Sequence, residues 1–213
     1  MRGKRNRDAV VESFISLIEE GNPRPTARAI AARAGLSLRS VFQHFDDLEQ
    51  IYEVAGRRQV GKLRPLLDPV PQDLPLAARL EELLRRRVEL LEQLDPVARA
   101  ARLREPFSAQ LQANRTAMVE LMRQQCREAF APELSAAGEG PRGQRLLTAV
   151  ATASSWAVWY HLRNDQELGV EQAADVVGLL VRAALASGAP GDPGEPLPLL
   201  ATPVGAPAPS RGG

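Results

Sequence analysis

Arg39, Ser40 and Gln43 fall on one side of a short stretch between Ser37 and Phe45. They offer a guanidinium, a hydroxyl and an amide, groups able to hydrogen-bond base edges or phosphates in a nucleic-acid groove. A surface shaped only for solubility would favour charge. At about 100° per residue, Val41 and Phe45 lie within about 40° of each other and can pack inward with Leu36, leaving the polar trio outside. Leu38, at the start of the stretch, can touch a thymine methyl, and Phe42 and His44 flank the polar edge. Any one of these residues alone reads as an ordinary solvated helix face. Their grouping beside a tight turn is what points to DNA.

The elements that must position them are legible locally. Pro23 and Pro25 stop whatever precedes, and the Thr26 hydroxyl can cap a helix start. Ala27 to Ala34 is rich in Ala and Arg, strong helix formers, with Ile30 and Ala34 on one apolar stripe. Gly35 suits the left-handed backbone of a helix exit. Ser37 can cap the next helix, so the stretch predicts a helix-turn-helix. Upstream, Asp8 to Glu20 carries Val10, Phe14, Leu17 and Ile18 as an amphipathic face that can roof the other two helices, and Gly21 ends it. Three short helices bury limited surface, so further packing is expected. Asp47 is placed to cap a fourth helix carrying Leu48, Ile51, Tyr52, Ala55 and Leu63.

The pattern Thr26, Ile30-Ala31, Ala34-Gly35, Ser37, Val41-Phe42, His44-Phe45, Glu49 and Ile51 resembles the amino-terminal domain of TetR-family transcriptional regulators. The resemblance covers roughly residues 4 to 64; length and helical layout alone extend it further. It implies phosphate contacts from Thr26, Ser40, Gln43 and His44 and base contacts from Arg28, Leu38, Arg39 and Phe42, with Ser37 in the same DNA-binding set. It also implies homodimers paired through carboxy-terminal helices, in which a bound ligand moves the fourth helix and spreads the two recognition helices. Two positions depart from the family. Phe42 stands where Tyr is usual, removing a phosphate-bonding hydroxyl, and Leu48 stands where Lys is common, removing a cation.

Charge follows the same division. Residues 1 to 67 hold 12 Lys plus Arg against 8 Asp plus Glu, and residues 68 to 213 hold 15 against 18. A net charge of +1 over the whole chain argues against a nonspecific nucleic-acid coater, whose affinity needs many cationic contacts. Arg2, Lys4, Arg5 and Arg7 read either as a basic arm reaching DNA or as a frayed terminus.

Beyond Pro65, Pro69, Pro71 and Pro75 the chain again reads as helix. Ala77 to Leu94 carries Leu80, Leu83, Leu84, Val88, Leu91 and Leu94 on one stripe. The Arg85-Arg86-Arg87 triplet, interleaved with Glu81, Glu82, Glu89 and Glu92, reads as a solvated face. Asp95 and Pro96 start a shorter segment ending near Pro106, and Phe107 to Phe130 reads as one long helix. After a break at Pro132 to Gly143, one helix runs through Leu146, Leu147, Val150, Ser154, Ala157, Val158 and His161. Another runs through Ala173, Ala174, Val177, Leu180, Val181 and Ala184. Both are dense in small residues and apolar over more than one face, as a two-fold four-helix interface with a second copy would require.

The expectation is an all-α protein: an N-terminal three-helix helix-turn-helix DNA-binding domain (1–46), a linking helix (47–67) and a C-terminal helical ligand-binding and dimerisation domain (68–187). A Pro/Gly-rich segment (188–213) with 7 of the 17 prolines should be a disordered tail. No apolar run reaches the roughly 20 residues of a membrane span, and the basic start lacks a secretion signal's apolar run. The single Cys126 excludes an intrachain disulfide and a cysteine metal cluster, so a cytoplasmic location fits. With only His44 and His161, and no phosphate-cradling loop, nucleophile elbow or HExxH spacing, catalysis is not expected, nor a cofactor or metal. Phe107, Met118, Met122, Trp156, Trp159 and Tyr160 are candidates to line a pocket for a small effector, though such clusters are more often core or interface. The resulting function is a sequence-specific regulator on a double-stranded operator, a repressor released by a small molecule. An activator of the same fold, or a helical adaptor module with a weak DNA head, are the alternatives.

Overall fold

The computed structural model describes residues 2–138 and 140–187, so the expected tail lies outside the described residues. The described chain is all-α. Helices α1 (Arg2–Glu19), α2 (Ala27–Ala34), α3 (Leu38–Phe42) and α4 (Leu48–Leu63) build the amino-terminal part. They are followed by α5 (Leu76–Arg102), α6 (Ala109–Ala129), α7 (Ala131–Ala137), α8 (Pro141–Ala153), α9 (Trp156–Tyr160) and α10 (Val170–Ser187). Single 3-10 turns lie at Arg64–Leu67 and Glu105–Phe107, and a π turn spans His161–Asp165.

The helix ends form where their chemistry predicts. Thr26 Oγ1 accepts the Ala29 N–H at 3.2 Å, Ser37 Oγ accepts the Ser40 N–H at 3.1 Å, and Asp47 Oδ1 accepts the Gln50 N–H at 2.8 Å. Gly35 adopts φ 64°, and the N–H groups of Gly35 and Leu36 return to the carbonyls of Ala32 and Ala31. This left-handed exit satisfies two otherwise orphaned carbonyls and sets the turn between α2 and α3. Replacing Thr26 by Ala should therefore cost about 1 kcal/mol, read as an earlier urea midpoint with an unchanged slope.

Two buried clusters meet on α4. Val10, Phe14, Ile18, Ile30, Val41, Phe45, Ile51, Tyr52 and Ala55 form the first, together with Val97 and Ala100 from α5 and Leu111 from α6. Leu63 at the far end of α4 belongs to the second, with Leu83, Leu90, Met122, Phe130, Val150, Trp159 and Val177. Between them the buried Gln59 Nε2 donates to the Gln93 carbonyl at 2.9 Å. A displacement of α4 is thus felt by both clusters.

Several expectations need correction. The basic start is helical and not frayed, since α1 extends back through Arg7 to Arg2, with Lys4 and Arg5 exposed on it; once a helix has nucleated downstream, adding Arg residues costs little. Helix α5 runs through Pro96 instead of breaking there, because Leu90 and Leu91 before it and Val97 and Ala100 after it are all buried. Their burial outweighs the roughly 3 kcal/mol that an interior proline costs. The helix expected from Phe107 begins at Ala109, where Ser108 Oγ accepts the Leu111 N–H at 3.3 Å. The helix expected through Ser154 to His161 ends at Ala153, and Ser155 caps α9 afresh. Adjacent serines compete with the helix for its own backbone groups.

The Arg triplet also divides. Arg85 is exposed and pairs with Glu82 at 2.9 Å, and Arg86 pairs with the same carboxylate at 2.6 Å. These two guanidinium hydrogen bonds hold the Glu82 carboxyl at about 2, well below the usual 4.5. Arg87, about 100° further round the helix, is 1% exposed. A comparable tie joins α5 to α7, where Arg79 meets Glu133 at 2.6 Å and the Ala129 carbonyl at 2.5 Å. The Arg79 hydrogen bond lowers the Glu133 carboxyl from its ordinary 4.5. A depressed carboxyl stabilises fully above that ordinary value and loses its contribution as pH falls through the folded one. Acid titration of the melting temperature should accordingly be flatter below pH 4.5 in Glu133→Gln than in the parent chain.

Candidate nucleic-acid interface and effector cavity

The second helix of the turn motif is held from beneath and bare on top. Val41 and Phe45 are fully buried and Leu36 packs beside them. On the outer side Leu38 is 42% and Phe42 47% exposed, large apolar side chains left in water at the edge of a polar face. Arg28, Ser37, Arg39 and Gln43 are exposed, and Ser40 and His44 are half-buried. Ser37 Oγ donates to Ser40 Oγ at 3.1 Å, so these hydroxyls also order the start of α3. Thr26 is exposed and its hydroxyl serves as the α2 cap. The nine residues expected at DNA therefore stand on α2, α3 and their immediate flanks. The Arg28, Arg39 and Gln43 side chains make no hydrogen bond or ion pair with any other described residue.

Arg7 of α1 also supports this face. Arg7 Nη1 donates to the His44 carbonyl at 2.6 Å, and its guanidinium lies 4.4 Å from the centroid of the Phe45 ring. It anchors the end of α3 to α1. The only signal in the sequence was a basic run, which does not say which cation turns inward.

Behind this head lies a cavity of about 320 Å³. Phe14 of α1, Tyr52 and Gln59 of α4, Leu94 and Val97 of α5, and Leu111, Met118 and Met122 of α6 contribute to its walls, with Trp156 of α9. Of the six residues expected here, Met118, Met122 and Trp156 line it. Phe107 does not: it sits on the 3-10 turn before α6 and is 85% exposed. Trp159 is 1% exposed inside the second cluster, its Nε1 donating to Glu92 Oε1 at 2.9 Å. Tyr160 also stands outside the walls and packs against Trp156 at 5.2 Å between centroids, the rings tilted by 44°. Trp156 and Tyr160, four residues apart, share one side of α9 and touch, while Trp159 turns into the second cluster, so adjacency in sequence does not put all three on the cavity wall.

Tyr52 connects the cavity to the turn motif. Its ring lines the cavity and meets Phe14 edge-on at 4.5 Å, while its hydroxyl donates to the Pro23 carbonyl at 3.3 Å, just ahead of the α2 cap. The Arg104 guanidinium covers the ring at 4.8 Å. Phe14 and Tyr52 read as core residues in the sequence, which they are; their second role as cavity wall depends on how α5 and α6 stand off from α4.

Among the described residues, no group of three His, Cys, Asp or Glu is placed to hold a metal ion, and no helix is long and apolar enough to cross a membrane. No protein-family model and no curated protein sequence matches the chain. Solved structures do. A TetR-family transcriptional regulator from Streptomyces coelicolor superposes with a TM-score of 0.65 at 18% identity, covering 88% of this chain and 92% of its own. A transcriptional regulator from Rhodococcus sp. RHA1 gives 0.62 at 17% identity, covering 88% and 97%. A TetR-like regulator from the same organism gives 0.56 at 18%, covering 87% and 96%. At these identities the likeness is one of architecture, and it spans both the turn-motif head and the helical body. The chain has the all-α fold of TetR-family transcriptional regulators.

Proposed function

We propose that the chain is a sequence-specific DNA-binding transcriptional regulator, a repressor released when a small molecule occupies the cavity. The observation that carries this reading is the outer face of α3, where Leu38, Arg39, Phe42 and Gln43 stand exposed above a buried Val41 and Phe45. Such a face offers donors, an acceptor and apolar edges at the scale of a major groove. Residues 1–46 form the DNA head, 47–67 the linking helix and 68–187 the body.

The protein acts as a homodimer paired through its last helices. In support, α8 packs on α10 within the chain, yet α10 leaves Leu179 61% exposed and Leu180 also in water. Two heads then meet half-sites about 34–36 Å apart. A cytoplasmic location follows from an operator as partner. An activator would use the same surface, with the operator's position deciding between them.

Release requires that the effector prefer the state that does not fit DNA. Tyr52 is suited to carry that preference, since pressure on its ring inside the cavity acts on the bond at Pro23. Tyr52→Phe keeps the ring and deletes the bond, a loss of about 1 kcal/mol. It should speed amide exchange across residues 22–27 and weaken operator binding several-fold at unchanged helicity; unaltered exchange there rules out this route. The reading as a whole is tested by selecting bound fragments from genomic DNA and footprinting them. A two-fold symmetric protected site supports it, and the absence of any enriched sequence refutes it.

A further inference from the structure

The polar groups around the cavity are unbalanced in a way that selects its occupant. Arg102, Glu105, Arg115 and Arg123 stand in the wall, three cations against one carboxylate. Glu105 is already shared, pairing with Arg115 Nε and with Arg102 Nη1 at 3.5 Å. Arg123 has no carboxylate within ion-pair distance among the described residues, and its Nη1 donates to Thr148 Oγ1 at 3.3 Å. Asn114 Nδ2, on the same helix, is buried without an acceptor. The cavity therefore has hydrogen-bond donors to spare and its one carboxylate is doubly occupied. A cationic ligand would meet two surplus positive charges and no free carboxylate among the described residues of the wall.

The geometry points to an amphipathic monocarboxylate as the natural effector, its charge held at Arg123 and its apolar body lying against Met118, Leu94, Val97 and Trp156. Arg115 and Arg123 are eight residues apart on α6, about 12 Å along the axis, with Met118 and Met122 between them. That length suits a compact aromatic or medium-chain acid in a cavity of about 320 Å³. Arg123 is half-buried, so an anion there is less screened by water than at an open surface. A planar guanidinium also matches the two oxygens of a carboxylate.

This assignment rests on the cavity being the effector site, and the test separates the two. Calorimetric titration of the full chain at pH 7 with 4-phenylbutyrate, 4-phenylbutanol and 4-phenylbutylamine varies only the head group. The acid should bind at least tenfold tighter than the alcohol, and the amine weakest of the three. Arg123→Gln should reduce the acid to the alcohol's affinity and leave the alcohol unaffected, while Arg123→Lys, which keeps the charge but not the two-pronged geometry, keeps only part of the preference. Alcohol binding as tight as acid binding, or a preference that survives Arg123→Gln, overturns the monocarboxylate and leaves the effector site standing. Binding by none of the three overturns both. If Arg123→Gln does not fold, the head-group series on the parent chain and on Arg123→Lys still decides.

Discussion

Replacing Arg39 and Gln43 together by alanine lowers operator affinity by about 100-fold or more, on the basis of about 1–3 kcal/mol for each well-made base contact. The melting temperature should hardly move. Both side chains are exposed and neither bonds another described residue, so the folded chain loses nothing internal when they go. The contrast with Val41 makes the test specific: Val41 is fully buried beneath the same helix, and truncating it damages the head itself. Fluorescence anisotropy at two salt concentrations tells which kind of contact each residue makes. If Arg39 meets a base, its loss relaxes the preference at one operator position; if it meets phosphate, affinity falls evenly across sequences and the salt slope decreases by about 1. Unchanged affinity in the double variant would take this face of α3 out of the DNA interface.

The largest expected loss of stability comes from Arg87→Ala, about 2–5 kcal/mol from the acceptors it strands and the cavity it leaves. The guanidinium is buried without a carboxylate in reach, and burial pushes its pKa down from the ordinary arginine value. It donates to the Ser154 carbonyl at 3.0 Å, the Met122 carbonyl at 3.1 Å and Gln125 Oε1 at 2.9 Å. Gln125 in turn donates to the carbonyls of Leu66 at 2.8 Å and Asp68 at 3.1 Å. One side chain thereby ties α5, α6, the α8–α9 junction and the turn after α4. Alanine deletes the donors, strands the Gln125 oxygen and opens a hole. For a chain of this size the melting temperature should fall by roughly 10 °C. Arg87→Met, which fills the space without a charge to bury, should recover part of the loss. A variant Arg87→Ala that melts with the parent would mean that the network contributes nothing net.

What the sequence made legible was local chemistry. Thr26, Ser37 and Asp47 cap helices because their side-chain oxygens accept the free N–H groups of the first turn, and Gly35 leaves α2 in a left-handed conformation that glycine alone takes without a steric penalty. Val41 and Phe45 are inward because spacing alone puts them there. What escaped depended on distant chain. Pro96 looks like a break until the buried residues on both sides of it are known, and Arg87 looks like its exposed neighbour Arg85 until Gln125 and Ser154 arrive from other helices. Met118, Met122 and Trp156, three of the residues the sequence offers for a pocket, line the cavity, but its contact with the head through Phe14 and Tyr52 arises from how α1, α4, α5 and α6 pack together. Phe107 stands two residues ahead of the start of α6, outside the helix that its place in the sequence suggests, and lies in water.

Operator recognition of the proposed kind requires α3 to enter the major groove twice, once from each member of a symmetric pair. Sedimentation equilibrium of the full chain with a duplex recovered by selection measures this directly. Two chains per two-fold symmetric duplex, with protected half-sites about 34–36 Å apart, is the expected result. A chain that stays single, with or without DNA, and protects no paired half-sites would contradict it.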